Sequence, residues 1–462
     1  MSELNAATPS TLDASTAAAA PDETMLRDTW GTSGNLTEEQ EAALGEFISK
    51  AMDEDLKLAK FSIETRENAA LRFLRARQFS VSKALALLAE CVQRKTSGRA
   101  SYLGSISTDD CLQCDTEALK IWYPHSAVGY DKLNRPVLFE HTGMINPTAM
   151  QHMATMDALI DYHWHNMETW LGSLFINAPQ RSASDFTISG EEREGESDSG
   201  DPTAVISTCV VLDLAGLSLT HCSSKMMDHL KALISIDNTC YPELLGKMFV
   251  INSPWLAVTT WELVKGWLDP RTQAKIEILG SGPDVTKKLL EVIPAESLPM
   301  KYGGAKPDSQ CFTWLEQRPK TEFVQLAKDQ MVKKVFKVPP QQVLYLDSYI
   351  SEGEILLEVS TPPLQEGGGG ADGAPLQQQQ EEGGVLMSLK KVLMRRPESS
   401  PTKPMRVLLD FGNPLNQDMT IVAQWSNPGP STFYSRPVTI NAFFRALDDK
   451  SPPPSTSHTN YY

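Results

Sequence analysis

The sequence predicts an α/β fold class in three parts. An all-helical N-terminal unit comes first, then a mixed, mostly parallel sheet with flanking helices, then a β-sandwich-like C-terminal domain. Three observations lead to this prediction. Apolar residues recur at helical spacing before residue 100, short apolar runs alternate with helical patterns up to about residue 312, and strand-like runs separated by turn residues follow after about residue 320.

The N-terminal part is predicted to be a disordered lead-in over 1–29, rich in Ala, Ser and Thr, and a helical unit over 30–100. Thr37, with Gln40 three residues later, forms a capping box and indicates where the first helix begins. Two further helical patterns follow, around 71–77 and 84–92.

The central part spans 101–312. Its short apolar runs do not alternate with polar residues, which is typical of strands buried on both faces of a parallel sheet. Strands are predicted at 137–140, 210–214, 248–252 and 276–279. Helices are predicted near 149–173, 223–236, 256–267 and 284–292. The acidic stretch 183–203 has no apolar period and is interpreted as a solvated loop.

The C-terminal domain is predicted over 320–447, with short strands at 343–346, 355–359, 407–411 and 421–425. A Gly-rich and then Gln-rich stretch within it predicts a disordered loop over 361–384. The Pro- and Ser-rich tail, 448–462, is predicted to be disordered.

The composition limits the possible partners of the protein and the kind of membrane contact it can make. A net charge of −16 disfavours nucleic acid as a partner, and contact with an anionic membrane would need a local basic face. Seven cysteines, an odd number, favour reduced thiols in the cytoplasm. The first residues lack the pattern of a signal peptide, and no stretch reaches the ~18 apolar residues of a membrane span. Membrane association should therefore be peripheral.

The sequence gives no positive case for an enzyme. It contains no G-x-S-x-G, H-E-x-x-H or Walker A pattern. His163 and His165 are two residues apart in a predicted helix, hence on different faces, which disfavours a metal pair. We therefore expect no catalytic residues, no metal and no cofactor.

Five blocks carry a resemblance to a known family. In order and spacing they resemble the CRAL-TRIO, or Sec14-like, lipid-binding family, over roughly residues 31–312. Within that family they are similar to the fungal phosphatidylinositol/phosphatidylcholine transfer proteins. The blocks lie at 31–36, 71–79, 241–247, 268–280 and 293–304.

The resemblance implies a gated apolar pocket that holds phosphatidylinositol and exchanges it at membranes, in support of phosphoinositide signalling and vesicle trafficking. Exposing about 30 methylenes of two acyl chains costs on the order of 25 kcal/mol, so a carrier must cover them. The gate and apolar pocket would be formed by Trp255, Leu256, Val258, Trp261, Val264 and Trp267. Ordinary packing of an amphipathic helix is the alternative interpretation.

The resemblance also implies a headgroup site. Arg77 would contact the phosphate, Glu243 would accept hydrogen bonds from inositol hydroxyls, and Thr272 and Lys275 would bind the phosphate. Each has a plainer interpretation. Arg77 could complement a helix dipole, Glu243 could lie in a helix's first turn, and the other two could be ordinary positions of a helix capped by Asp269.

Two departures from the family pattern affect the ligands. Gln78 stands where a second basic residue is expected, which removes one charge from the phosphate site. For a second lipid, Thr208 keeps a hydroxyl, but Val210, Ala127 and Leu138 replace hydroxyl-bearing residues. The second ligand is thus open among phosphatidylcholine, a tocopherol, a sterol and a fatty acid.

The C-terminal domain resembles the GOLD domain that follows the lipid-binding domain in some Sec14-like proteins. That resemblance implies a protein partner and Golgi or endosomal membranes as the site of action. An unrelated β-rich domain is the alternative.

For the function of the whole protein, a lipid-sensing regulatory scaffold is the alternative to a transfer protein.

Overall fold

The computed structural model describes residues 29–58, 60–97, 103–112, 114, 116–179, 206–317, 321–327, 329–350, 354–361, 387–395, 405–413, 415, 417–427 and 438–447. Four of the predicted segments lie wholly or almost wholly outside these ranges. They are the lead-in, the acidic loop at 183–203, the loop at 361–384 and the C-terminal tail.

Three helices form the N-terminal unit, at Glu38–Asp53, Arg66–Ala76 and Val81–Ser97. The predicted capping box is confirmed: the Thr37 hydroxyl accepts the Gln40 N–H, and the Gln40 side chain accepts the Thr37 N–H. Apolar side chains at helical spacing meet in one core that includes Phe47, Leu74 and Leu88.

The central part is confirmed as a mixed, mostly parallel sheet with helices around it. Five strands, β1 (His125–Tyr130), β2 (Pro136–Glu140), β3 (Thr208–Asp213), β4 (Leu245–Ile251) and β5 (Ile276–Ile278), lie in the order β1-β2-β3-β4-β5. Strand β1 pairs antiparallel with β2, and the other pairs are parallel. The four predicted strands are present.

The α-helices of this part are Thr108–Leu112, Thr116–Trp122, Pro147–Met153, Met156–His165, Leu171–Ile176, Ser224–Cys240, Trp255–Val264, Pro270–Ala274, Pro283–Val292, Asp308–Cys311 and Thr313–Gln317. The single helical pattern predicted at 149–173 is divided in two places. Thr155 caps a new helix start, and a π-helical turn at Asn166–Trp170 interrupts the continuation. Such turns often mark functional positions.

The two faces of the sheet differ. One face is packed into the main core through Val137, Phe139, Cys209, Val211, Phe249 and Ile251. The other face carries side chains that stay partly exposed although they lie on central strands: Leu138, Val210, Leu212, Met248 and Val250. Of these five, only Leu138 packs against a described core, that of the N-terminal helices. The second face, which we call the half-exposed face, is therefore only partly covered by the side chains that the structure describes.

A buried arginine, Arg72, links the helical unit to the chain that leads into strand β4. The Arg72 Nε atom lies 2.6 Å from Glu64 Oε1, and both side chains are almost fully buried. Arg72 also donates through Nη1 to the Pro242 carbonyl, 3.2 Å away. The bidentate pair thus fixes the chain just before strand β4.

The C-terminal part is a sandwich of two antiparallel sheets. Strands β7 (Met331–Val338), β9 (Glu354–Thr361), β10 (Met387–Arg395) and β12 (Met419–Ser426) form one, in the order β10-β9-β12-β7. Strands β6 (Thr321–Leu326), β8 (Val343–Ile350), β11 (Met405–Gly412) and β13 (Val438–Leu447) form the other, in the order β11-β8-β13-β6. Both sheets contribute to one core, and Trp425 Nε1 donates across it to Ser348 Oγ over 3.1 Å.

No helix in the described ranges is long and apolar enough to cross a membrane.

Replacing Glu64 by glutamine should lower the free energy of unfolding by about 3–5 kcal/mol, because Arg72 would keep a buried charge without its counter-ion. Urea denaturation measures this difference. The matched control is Glu46→Gln, which removes the exposed pair with Lys50 and should cost less than about 1 kcal/mol. Equal effects of the two substitutions would contradict a structural role for the buried pair.

Candidate functional site

Glu243 lies in the short turn between helix Ser224–Cys240 and strand β4. The interpretation that it occupies the first turn of a helix is wrong: its φ is 62°, in the left-handed region. The chain must reverse within a few residues there, and a non-glycine residue in this conformation costs on the order of 1–3 kcal/mol. Surrounding contacts must therefore hold it.

Those contacts are three cations. Lys275 Nζ lies 2.9 Å from Glu243 Oε2, Arg75 Nη2 lies 3.3 Å from the same oxygen, and Arg271 Nε lies 3.1 Å from Oε1. The Glu243 side chain is 5% exposed, so the carboxylate is nearly sealed from water. We call these four residues the Glu243 cluster.

The cluster sets the charge state of its carboxyl group. Burial alone would raise the pKa of Glu243, but the nearby charges of Lys275 and Arg75 and the hydrogen bonds from Arg271 and Lys275 outweigh it. The pKa falls to about 2, so Glu243 is ionised at neutral pH. The cluster thus holds three cations against one carboxylate, and lysine and arginine side chains are the groups that bind phosphate.

Only two of the four residues predicted for the headgroup meet in this cluster. Arg77 lies at the C-cap of helix Arg66–Ala76, and its Nη1 donates to the Ala76 carbonyl at 3.0 Å. The Thr272 hydroxyl donates to Asp269 Oδ2 at 2.6 Å. The plainer interpretations of these two, helix end and capped helix turn, match the contacts that they make.

Sequence reasoning missed Arg75 and Arg271. Arg75 lies in the last turn of its helix, one turn beyond Arg72, so it projects from a fixed backbone, whereas Arg77 follows the helix end. Arg271 lies two residues after Asp269, whose Oδ1 accepts its N–H and thereby caps the short helix Pro270–Ala274. Helical spacing and this cap were the signals that could have identified them.

The predicted gate segment forms helix Trp255–Val264 and a following turn at Lys265–Trp267. Trp255 is 79% exposed, and Leu256, Trp261, Val264 and Trp267 are partly exposed. The side chain of Val258 lies outside the described residues. A helix that is apolar on most sides and yet poorly buried is not an ordinary core helix.

The hydroxyl expected at a second-lipid site is already engaged. Thr208 is buried, and its Oγ1 donates to the Leu244 carbonyl at 3.3 Å. Other polar groups lie near the half-exposed face instead. Glu140 accepts from Thr142 Oγ1 at 2.9 Å, and the His163 ring donates to Asp237 at 2.7 Å. Burial raises the pKa of Glu140.

The two histidines considered for metal binding have separate roles. Whereas His163 pairs with Asp237, the ring of His165 bonds to the Leu103 carbonyl and the Thr108 hydroxyl, at 2.8 and 3.1 Å. In the ranges that the structure describes, no group of three or more His, Cys, Asp or Glu side chains could hold a metal ion.

Comparison with known proteins gives concordant matches. The CRAL/TRIO domain model matches residues 123–304. The SEC14 cytosolic factor of Eremothecium gossypii is 32% identical over 282 residues, which are 61% of this chain and 81% of that protein. A CRAL-TRIO domain-containing protein of Saccharomyces cerevisiae is 32% identical over 59% of this chain and 80% of its own length.

A phosphatidylinositol/phosphatidylcholine transfer protein of Arabidopsis thaliana is 32% identical over 51% of this chain and 39% of its own length. Among solved structures, the crystal structure of Sfh5 covers 54% of this chain at 16% identity, with a TM-score of 0.40 that is too low to carry a conclusion.

Replacing Glu243 by glutamine should destabilise the fold at neutral pH, since three cations would lose their buried counter-charge. Because the folded-state pKa is lowered, this stabilisation is complete above about pH 4.5 and lost as the pH falls toward 2.

Urea unfolding at pH 7, 4 and 2.5 measures the difference between wild type and Glu243→Gln. The difference should shrink at each step. The control, Glu117→Gln, removes a half-exposed pair with Lys120 and should show little difference at any pH. A constant difference for Glu243→Gln across this range would contradict the lowered pKa.

Proposed function

The chain belongs to the Sec14-like CRAL-TRIO family of lipid-binding and lipid-transfer proteins, and we propose that its ligand is phosphatidylinositol. The lipid would sit in an apolar pocket, exchange at membranes, and thereby support phosphoinositide signalling and vesicle trafficking. No covalent step is part of this proposal.

The Glu243 cluster is the observation that carries the proposal. Its lysine and arginine side chains suit a phosphodiester, while its carboxylate suits a polyol, because carboxylates only accept hydrogen bonds and hydroxyls donate them. In this proposal Lys275 binds the phosphate and Glu243 reads the inositol hydroxyls. Arg77, at the C-cap of helix Arg66–Ala76, and Thr272, in the short helix Pro270–Ala274, contribute after modest side-chain rotation.

The acyl chains need an apolar surface against which they can pack. The half-exposed sheet face offers one, through Val210, Leu212, Met248 and Val250. The poorly buried helix Trp255–Val264 offers a second apolar surface, which we assign to the gate. A gate of this kind would shield the chains in water and present Trp255 to a membrane.

For the second ligand we propose only a class of molecule. Because the Thr208 hydroxyl is bonded to the protein itself, the phosphatidylcholine assignment loses its remaining side-chain contact. A tocopherol, sterol or fatty acid would still find the half-exposed apolar face. A lipid-sensing scaffold, which binds lipid but moves little of it, remains the competing role.

The C-terminal sandwich is proposed to act as a GOLD-like module that recruits a protein partner. Its two antiparallel sheets and single shared core support a module of this architecture. Golgi or endosomal membranes would be the place of action, with the protein held peripherally from the cytoplasm.

The double variant Glu243→Ala/Lys275→Ala should lose transfer of phosphatidylinositol between vesicles by about tenfold or more, since each charge-assisted hydrogen bond is worth roughly 1.5–3 kcal/mol. Transfer of labelled lipid from donor to acceptor vesicles measures this. The control Glu117→Ala/Lys120→Ala removes a surface ion pair and should transfer at the wild-type rate. Undiminished transfer by a folded Glu243→Ala/Lys275→Ala variant would refute the headgroup assignment.

The substitution Trp255→Ala should reduce vesicle association by roughly tenfold, because it removes a large exposed apolar side chain from the proposed gate. Its free energy of unfolding should change by less than about 0.5 kcal/mol, as at other exposed positions. Sedimentation with vesicles measures association, and Met52→Ala, also exposed, is the control. Equal association of all three proteins would exclude membrane contact through Trp255.

A further inference from the structure

The side chain of Arg271 is held between two groups from distant parts of the sequence. Its Nε donates to Glu243 Oε1 at 3.1 Å. Its guanidinium carbon lies 4.4 Å from the ring centroid of Trp30, within the range of a cation–π contact. The guanidinium therefore has a fixed orientation beside the carboxylate, unlike that of a surface arginine.

The position of Trp30 is in turn fixed by its own neighbours. Its ring meets the Phe79 ring edge-on, with centroids 5.4 Å apart. The next residue, Gly31, has a φ of +63°, and a Cβ atom there would lie 2.5 Å from the Phe79 ring. Only glycine allows this close approach, so the turn at Gly31 brings Trp30 over the Glu243 cluster.

Phe79 links this arrangement to the position in the sequence where the proposed phosphate site lacks one basic residue. Phe79 directly follows Gln78, where the family pattern has a basic residue and this chain has none. Arg271 supplies a cation at Glu243 Oε1, whereas Arg75 and Lys275 contact Oε2. A guanidinium keeps its charge at any physiological pH and matches the fork of two phosphate oxygens better than an ammonium group does.

We propose that Arg271 is a specificity-determining residue that contacts the phosphate of the inositol lipid in place of the charge missing at Gln78, and that Trp30 is its positioning residue. This inference rests on the proposed function. Trp30 acts by holding the guanidinium against Glu243, so that a phosphate arriving at Lys275 meets a second, pre-oriented cation.

The test of Arg271 compares wild type with Arg271→Gln, Arg271→Lys and the control Lys288→Gln, in uptake of labelled phosphatidylinositol from vesicles. Lys288 is an exposed cation paired with Glu291 and is not a member of the Glu243 cluster. Arg271→Gln should bind phosphatidylinositol about tenfold more weakly than wild type. The affinity of Arg271→Lys should lie between those of wild type and Arg271→Gln, and the control should match wild type. Wild-type uptake by a folded Arg271→Gln variant would overturn the inference while leaving the proposed function intact.

The test of Trp30 uses two substitutions of different character. Trp30→Phe keeps an aromatic face over the guanidinium, whereas Trp30→Leu keeps only apolar contact with Phe79. Trp30→Leu should weaken uptake by about threefold and raise its salt sensitivity, while Trp30→Phe stays near wild type. The two variants should have the same midpoint temperature of thermal unfolding.

Equal uptake by the two Trp30 variants would overturn the positioning role. A wild-type protein that takes up no phosphatidylinositol would overturn both this inference and the proposed function. The two failures are distinguishable, because the second is read from the wild type alone.

Discussion

The buried carboxylate of Glu243 joins three segments that are far apart in the sequence. Arg75 comes from the N-terminal helical unit, Arg271 and Lys275 come from the segment between strands β4 and β5, and Glu243 itself precedes β4. Taking one carboxylate out of water is costly, and taking three cations with it costs more. Only their mutual attraction makes the arrangement stable, so the segments must stay together.

That constraint also places a charged site beside an apolar one. Glu243 is two residues before strand β4, and the same strand carries Met248 and Val250 on the half-exposed face. A ligand with a charged head and an apolar body can therefore contact both along one strand. The buried pair of Arg72 and Glu64 fixes the Pro242 carbonyl and so holds the start of this strand.

The sequence predicted the parts of the fold that follow from local pattern. Strands β2, β3 and β4 were found because unbroken apolar runs leave few alternatives. Strand β1 was missed because His125–Tyr130 is polar or small at most positions and lies at the sheet edge, where little burial is required. The helical pattern at 149–173 gave no sign of its π-helical turn, since a single such turn shifts the apolar spacing by only about one residue.

The site was harder to predict because its contacts are not local. Glu243 and Lys275 were identified through motif positions, and the structure brings their charged atoms within 2.9 Å. The position of Trp30 beside Arg271 could not be predicted, because it depends on a turn at Gly31 that returns to the end of a helix more than forty residues later. The sequence suggested that the Thr208 hydroxyl could contact a lipid. In the structure it donates to the Leu244 carbonyl, and this choice depends on side-chain packing that sequence patterns do not reveal.

Mass spectrometry of the lipid that remains bound to the purified protein tests the central claim most directly. The protein should be produced in cells whose membranes contain phosphatidylinositol, and the bound lipid released and identified. The account predicts phosphatidylinositol as a bound species near one molecule per chain in the wild type, and its loss from a folded protein in which Glu243 and Lys275 are both alanine. A wild type that carries only other lipids would contradict the account.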